Sequence, residues 1–270
     1  MSRTTFHFIS GLPRSGSTLL AAILRQNPVF HAAMSTPVAE IVTSVLRTLK
    51  SSNDLTSVMS DISRRDVLRG VIESYYHSLD RHTVIFDTNR LWCALLPLLS
   101  VLFPEARVIG CVRSPAWIID SVERQMQSGA FASSRMFADD VAGCVYDRAN
   151  AMVNGHFIGS SLKGLKQAWF GPHAGRLVVI RYESIASDPD RVVRRLYQFL
   201  NERPFTHDFN NLEYAAPHFD DAIGMPGFHN VRSAVTPTRR ETILPPDLFA
   251  AHDVSFWEDP KQNPQRVALL

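Results

Sequence analysis

Short apolar runs alternate along this chain with segments whose apolar side chains recur at helical spacing. Runs rich in Val, Ile and Phe predict four β-strands, at Phe6–Ser10, Val84–Asp87, Arg107–Val112 and Leu177–Arg181. Helix-start signals follow two of them, because Ser114 and Asp188 each precede a proline suited to the first helical position. Strands that alternate with helices predict an α/β fold, a three-layer sandwich with a central, mostly parallel sheet flanked by helices.

Size and composition predict a single domain. The chain has 270 residues, of which 45% are hydrophobic and 20% charged, enough to bury one sizeable core. It contains no internal repeat and no low-complexity tract, so we expect the domain to span residues 1–270. From about 203 to 242 the sequence becomes irregular and rich in Pro, His and Asp, which predicts a lid or a substrate-side segment.

The net charge and the cysteines limit which classes of binding partner and which cellular compartment we expect for this protein. A net charge of +2 and the lack of basic runs with interleaved aromatic residues argue against a nucleic-acid partner. No apolar run approaches the roughly 20 residues that span a bilayer, and no export signal opens the chain. Cys93, Cys111 and Cys144 have no CxxC spacing and lie in apolar stretches, so we expect buried, reduced thiols. These features together predict a cytoplasmic protein without a membrane span.

A phosphate-loop motif directly follows the first predicted strand. Gly11–Thr18 fits the pattern G-x-x-x-x-G-K-[ST] except that Ser17 replaces the lysine. A strand that turns through glycines into a helix start directs backbone N–H groups and the positive end of the helix dipole at one point, which favours an anion. Arg14 supplies a bidentate cation within the loop, in place of the lysine that ATP- and GTP-binding enzymes use. The motif predicts a P-loop-like fold and an anionic ligand other than an ordinary nucleoside triphosphate.

The loop resembles the 5'-phosphosulfate loop of sulfotransferases that use PAPS (3'-phosphoadenosine 5'-phosphosulfate), especially the tyrosylprotein type and related bacterial enzymes. Two further segments resemble the same family. Val108–Pro115 leads to Ser121, eight residues after Arg113, as in the family's 3'-phosphate motif. Val178–Ile185 is similar to the family's strand ending in Tyr-Glu, where Tyr182 contacts the donor. The three segments cover about residues 6–200.

The resemblance implies a sulfotransferase that moves a sulfuryl group from PAPS to an acceptor hydroxyl or amine and releases PAP. It implies donor-binding roles for Pro13, Arg14, Ser15, Gly16, Ser17, Thr18, Arg113, Ser121 and Tyr182. No metal is expected, since the transferred sulfate carries a single negative charge. The acceptor is expected to be a small molecule, a glycan or a peptide.

Acceptor activation calls for a general base. The tyrosylprotein type has a Glu shortly after its loop helix, whereas the matching stretch here, Ala33–Thr36, has no carboxylate. We favour Asp87, which ends a predicted strand at the ligand-binding edge of the sheet, over Glu40 as this base, and we assign Arg14 to charge stabilisation. Asp87 could instead cap a helix or pair with Arg90. Reserve candidates are His31, His218 and His229.

Two other functions remain open at this point. A P-loop kinase is one alternative, because Thr83–Asp87 looks like a Walker-B strand whose carboxylate could hold Mg²⁺, although Ser17 and the pairing of Arg113 with Ser121 argue against it. A non-catalytic PAPS- or PAP-binding protein is the other alternative, since the expected Glu is missing.

Overall fold

The computed structural model describes residues 4–50, 54–79, 83–128, 143–214, 220–221, 227, 229–237 and 240–270. One sheet contains the strands β1 (Thr5–Gly11), β2 (Phe30–Ala32), β3 (Val84–Thr88), β4 (Val108–Val112), β5 (Leu177–Arg181) and β6 (Ala268–Leu269). Their order is β2-β3-β1-β4-β5-β6, and every neighbouring pair is parallel. The predicted α/β fold with a central parallel sheet is confirmed.

Helices connect the strands and flank the sheet. They are α1 (Ser17–Leu24), α2 (Val38–Lys50), α3 (Asp54–Ser57), α4 (Asp61–Tyr75), α5 (Leu96–Leu102), α6 (Pro115–Ser128), α7 (Val145–Asn154), α8 (Gly159–Phe170), α9 (Tyr182–Ser187), α10 (Pro189–Leu200) and α11 (Pro246–His252). Short 3-10 helices lie at Ala174–Arg176, Phe256–Glu258 and Pro260–Gln262. Both predicted helix starts are confirmed, because α6 begins directly after Ser114 and the Asp188 side chain caps α10.

Alternate strand residues enter two hydrophobic cores on opposite faces of the sheet. On β1, Phe8 packs against Trp92 in one core, with ring centroids 4.7 Å apart. Its neighbour Ile9 lies in the other core together with Leu20 of α1. Since successive side chains of a strand point to opposite faces, helices must cover both faces, which is the three-layer arrangement.

The order of the strands determines where a ligand can enter. β1 lies in the middle of the sheet, with β3 on one side and β4 on the other. Connections that leave neighbouring parallel strands in opposite directions open a crevice at their carboxyl ends. The phosphate-loop motif that follows β1 lies at this crevice.

Sequence analysis missed the edge strands β2 and β6. They are three and two residues long. A period of two residues cannot be recognised over such short runs, so only their pairing with β3 and β5 identifies them. Within the segment predicted as a lid or substrate-side region, the described residues 203–214 and 229–237 form turns and irregular structure.

The cysteines correct one expectation. Cys93 and Cys111 are buried, and burial raises the pKa of their thiols to about 11 and about 12. Cys144, predicted to be buried, is exposed. It immediately precedes α7, where its backbone N–H donates to Asp147 Oδ2 at 3.0 Å, so it belongs to a surface helix start and not to the core.

No helix among the residues described above combines the length and the apolar character needed to cross a bilayer.

Candidate active site

A cavity of about 950 Å³ opens at the carboxyl ends of β1, β3 and β4. Its wall also includes the starts of α1 and α2 and part of the irregular segment around residues 229–236. This is the size and position expected of a small-molecule site in an open α/β sheet. The wall contains most of the site residues predicted from sequence, namely Pro13, Arg14, Gly16, Ser17, Thr18, Glu40, Arg113, Ser121 and Tyr182. Ser15 and Asp87 are not part of the wall.

The loop between β1 and α1 is held tightly against β4. Gly11 has a φ of 109°, and a Cβ atom there would lie 2.0 Å from the Cys111 carbonyl oxygen. Leu12 N donates to the same oxygen at 2.8 Å. Arg14 and Gly16 also have left-handed φ values, 55° and 92°. These conformations turn the chain sharply into α1, so that the first amides of the helix face the cavity.

Ser15 supports this loop from behind. Its side chain is 2% exposed. Its Oγ lies 2.9 Å from the Cys111 carbonyl oxygen and closer still to that of Leu12, and its single proton can serve either acceptor. Ser15 therefore fastens the loop to the end of β4 instead of presenting its hydroxyl to a ligand.

Arg14 and Ser121 meet in the cavity wall although 107 positions separate them, and Arg14 Nε donates to Ser121 Oγ at 3.2 Å. Burial lowers the pKa of Arg14 to about 10, and the neighbouring charge of Arg113 contributes in the same direction. The guanidinium stays charged at neutral pH, so two cations that repel each other share one partly buried wall. An anion bound between them relieves this repulsion.

Arg113 stacks on a ring in the wall. Its guanidinium lies 4.2 Å from the centroid of the Tyr182 ring, and its Nε lies 3.4 Å from Glu183 Oε1. That Nε is buried, and its ion pair with the exposed Glu183 carboxylate is not a hydrogen bond. A buried donor without a hydrogen bond is costly, so it marks a place where a ligand oxygen would be stabilised.

Arg240, which sequence analysis did not identify, lies close to Arg113. Its Nη2 is 2.6 Å from Asp120 Oδ2, and its guanidinium lies 5.6 Å from the centroid of the Trp117 ring. Asp120 is fully buried and also accepts from Ile243 N at 2.9 Å, so its carboxylate fastens the chain after residue 240 to α6. Arg240 Nε is a second buried donor without a partner in the described part of the chain.

Asp87 lies beneath the cavity wall. Its fully buried carboxylate accepts hydrogen bonds from Tyr76 OH at 2.5 Å, Trp92 Nε1 at 2.6 Å and Thr36 Oγ1 at 2.7 Å. Burial raises the pKa of Asp87, and the three donors oppose that rise. Arg90, considered as its partner from sequence, is not among these contacts. The position of Asp87 argues against direct contact with a ligand in the cavity.

Glu40 faces the cavity from the first turn of α2. Its Oε2 accepts from Asn89 Nδ2 at 2.9 Å, and the same amide group contacts Thr36 O at 2.8 Å. Thr36 Oγ1 accepts from Val38 N at 3.3 Å at the start of α2. Because Thr36 also donates to Asp87, the buried carboxylate positions the helix that carries Glu40.

His229 forms a close pair with a buried carboxylate. Its Nδ1 lies 2.5 Å from Asp220 Oδ1, and its backbone N donates to Asp220 Oδ2 at 3.0 Å. Asp220 is fully buried, whereas His229 lines the cavity. Burial lowers the pKa of His229, the charges of Arg14 and Arg90 act in the same direction, and Asp220 opposes them. A neutral imidazole held at Nδ1 can accept a proton at Nε2.

The other reserve histidines do not contribute to the described wall. The His31 ring packs 5.7 Å from the Tyr76 ring, and His218 lies outside the described residues. Sequence analysis missed Asp220 and Arg240 because both lie in the irregular segment 203–242, where no motif or period marks a residue.

Comparisons with known proteins agree with this architecture. The model of the Sulfotransferase family matches residues 7–207. An uncharacterised protein of Aquifex aeolicus (strain VF5) is 24% identical over 202 residues, which are 71% of this chain and 25% of the relative. This chain therefore spans about a quarter of the length of that curated relative.

Of two solved structures that are similar to this chain, the first shows the same fold. The sulfotransferase domain of the Synechococcus PCC 7002 olefin synthase superposes with a TM-score of 0.53 at 21% identity, covering 86% of this chain and 85% of that one. The sulfotransferase domain from the curacin biosynthetic pathway is 20% identical with a TM-score of 0.46, covering 76% of this chain and 75% of that one. The family resemblance of the three motifs is confirmed, because the family model matches residues 7–207 of the 270, and the chain belongs to the sulfotransferase family.

Proposed function

We propose that this protein transfers a sulfuryl group from PAPS to an acceptor hydroxyl or amine and releases PAP. The observation that supports this best is the contact between Arg14 of the loop and Ser121 of α6, at 3.2 Å and beside Arg113. A donor with anionic groups on both its 5' and 3' positions needs two adjacent anion sites, whereas ATP needs only the first.

The chain's own residues fit this donor. The loop residues Pro13, Arg14, Gly16, Ser17 and Thr18 would bind the 5'-phosphosulfate, with Ser15 fastening the loop from behind. Arg113, Ser121 and Arg240 would bind the 3'-phosphate, since Arg113 Nε and Arg240 Nε are buried donors that make no hydrogen bond among the described residues. Tyr182 supports Arg113 by stacking beneath its guanidinium.

Two groups of residues would act in the transfer step, one on the leaving group and one on the acceptor. PAPS supplies the sulfuryl group and a phosphate oxygen as leaving group. Arg14 and the first amides of α1 would hold the negative charge that develops on that oxygen. As the acceptor oxygen or nitrogen bonds to sulfur and the bond from sulfur to the 5'-phosphate oxygen breaks, His229 Nε2 takes the acceptor proton and Asp220 orients the imidazole.

We prefer His229 to the carboxylates as the general base. Glu40 lies on the cavity wall, but it accepts from Asn89 and has no second group that prepares it for proton transfer among the contacts described. We assign Glu40 to acceptor contact and Asp87, through Thr36, to positioning of α2. We call the part of the wall formed by residues 11–14 and 16–18, Arg113, Ser121, Tyr182 and Arg240 the donor side. The acceptor side is formed by Glu40, Arg90, Phe157 and His229.

Calorimetric titration with PAP tests the donor site. We expect PAP to bind the wild type and its affinity to fall at least about thirtyfold in Arg113→Ala, because this change removes one partner of a buried charged contact. Arg194→Gln is the matched control, since Arg194 is exposed on α10 and pairs with Asp190. Adenosine 5'-phosphosulfate, which lacks the 3'-phosphate, should lose little affinity in Arg113→Ala.

Two results would contradict the proposal in different ways. Binding of ATP with Mg²⁺ but not PAP would favour the P-loop kinase. Binding of PAP without release of PAP from PAPS in the presence of phenols, alcohols and amines would favour a non-catalytic binding protein.

A further inference from the structure

The cavity contains more positive charge than the donor needs. Its wall includes the arginines Arg14, Arg90, Arg113, Arg232 and Arg240, whereas Glu40 is its one acidic residue among those described. Arg14, Arg113 and Arg240 form one group, because the charge of Arg113 acts on both of the others. This group lies at the donor side and matches the two anionic ends of PAPS. Arg90 lies across the cavity and is not needed there.

Arg90 is held in a defined position after β3. Its backbone carbonyl accepts from Ser10 Oγ at 3.1 Å, which fixes the residue to the end of β1. Its Nη1 donates to Phe157 O at 3.3 Å, and its guanidinium lies 5.3 Å from the centroid of the Phe157 ring. The side chain lines the cavity. Burial lowers the pKa of Arg90, and the negative charge of Glu40 opposes this shift. The guanidinium carries five N–H donors, and the contact with Phe157 O uses one of them.

The proton-accepting histidine lines the same cavity as the donor side and Arg90. Arg90 follows β3 and Arg113 follows β4, and these strands lie on opposite sides of β1. The charges of Arg14 and Arg90 both lower the pKa of His229. When the reacting hydroxyl is at His229 Nε2, a part of the acceptor that extends away from the donor side can contact Arg90 and the Phe157 ring.

We propose that the acceptor carries an anionic group, a carboxylate or a phosphate, and that Arg90 binds this group while the acceptor hydroxyl lies at His229. This inference rests on the proposed function. A planar guanidinium binds a carboxylate or phosphate by two parallel hydrogen bonds, and Phe157 beneath it limits its orientation. Glu40 lies on the same side, where its charge acts on Arg90 and would repel a second anionic group. The site thus selects a compound with one anionic group at a fixed distance from its hydroxyl.

Matched phenols test the proposal on the protein saturated with PAP. We use para-hydroxyphenylacetate and para-hydroxybenzylphosphonate as anionic probes, para-cresol as the neutral one and tyramine as the cationic one, and measure each Kd by calorimetry or by NMR titration. At least one anionic probe should bind roughly tenfold or more tightly than para-cresol, as expected for a charged hydrogen-bonded contact. A preference between the carboxylate and the phosphonate identifies which anion the site takes.

Substitutions of Arg90 separate this role from donor binding. Arg90→Gln should remove the preference for anionic probes while the Kd of PAP stays within about twofold, and Arg90→Glu should shift the preference to tyramine. Arg194→Gln, on the exposed face of α10, serves as the control and should change neither. Transfer rates from PAPS to the same phenols should follow the same order.

The outcomes distinguish the acceptor class from the proposed function. If the wild type does not bind PAP, the sulfotransferase proposal itself fails. If PAP binds but the anionic phenols bind no better than para-cresol, or none of the phenols binds at millimolar concentration, only the anionic acceptor is overturned. If Arg90→Gln weakens PAP binding and leaves the order of the phenols unchanged, Arg90 belongs to the donor site and the inference is also overturned.

Discussion

Most of the donor side of the cavity is built from residues that directly follow strands, to which Ser121 of α6 and Arg240 are added, whereas the acceptor side is assembled from four separate parts of the chain. The loop follows β1, Arg113 follows β4 and Tyr182 follows β5. By contrast, Glu40 belongs to α2, Arg90 to the turn after β3, and Phe157 precedes α8, while His229 lies in irregular structure.

This difference follows from how each side recognises its ligand. Anion binding by a loop uses backbone amides, which requires special φ values and close approach of the chain to β4, and only certain residues at fixed spacing permit this. Acceptor recognition uses side chains, which need only be brought together in space. The part of the donor side that follows strands is therefore recognisable in the sequence as motifs, whereas Arg240 is not. On the acceptor side, Glu40 and His229 stand in the sequence only as isolated candidates without a motif. The following variants test this difference between the two sides, from the largest expected effect to the smallest.

Removal of the proposed base should have the largest effect. His229→Ala is expected to lower kcat by roughly 10²–10⁴-fold, because the acceptor proton loses its positioned base. The Kd of PAP should change less than about twofold, since the donor side is untouched. Single-turnover release of PAP from PAPS, with acceptor and in water alone, is the measurement. A kcat close to wild type would transfer the role of base to Glu40.

Gly11→Ala tests the geometry of the donor side. A methyl group 2.0 Å from the Cys111 carbonyl oxygen, at a φ of 109°, should lower the free energy of unfolding by about 2 kcal/mol or more and weaken PAP binding. Gly70→Ala is the matched control, because a Cβ there meets no atom within 4 Å and α4 should gain up to about 1 kcal/mol. Urea denaturation measures both. Equal stability of the two variants would contradict the close approach of the loop to β4.

Ser15→Ala should have a smaller effect on the same loop. Loss of its hydrogen bond to the end of β4 should cost about 1 kcal/mol of stability and reduce PAP affinity a few-fold, because the loop is less well fixed. Ser100→Ala, at a half-buried residue whose Oγ donates to Pro97 O within its own helix, is the control. A large loss of PAP affinity without loss of stability would instead indicate direct contact between Ser15 and the ligand.

The smallest expected effect is a change in the pKa of His229 when PAP binds at the donor side. Its pKa lies below the ordinary value of 6.5, so the neutral base predominates at neutral pH, and kcat/KM should fall only as the pH drops through that lowered pKa. Bound PAP brings negative charge near the imidazole and should raise the pKa, whereas Asp220→Asn removes the charge that raises it and should lower the pKa. NMR titration of labelled histidine measures both shifts. A pKa unaffected by PAP would separate His229 from the donor side.

Local sequence signals were sufficient to predict the central strands, the start of α6, the cap of α10 and the phosphate loop. In each case the signal is local, either a run of apolar residues, a proline after a capping residue or glycines at the spacing of a sharp turn. The edge strands β2 and β6 escaped prediction because they exist only through pairing with their neighbours.

The roles of the carboxylates and the composition of the acceptor side could be inferred only from the tertiary structure. Asp87 ends a strand at the expected edge of the sheet, yet Tyr76, Thr36 and Trp92 surround its carboxylate and keep it below the wall. From sequence, His229 was only a reserve candidate for the base. The fold places the buried carboxylate of Asp220 against its Nδ1. Burial and pairing of side chains depend on contacts between distant segments, and no local pattern encodes them.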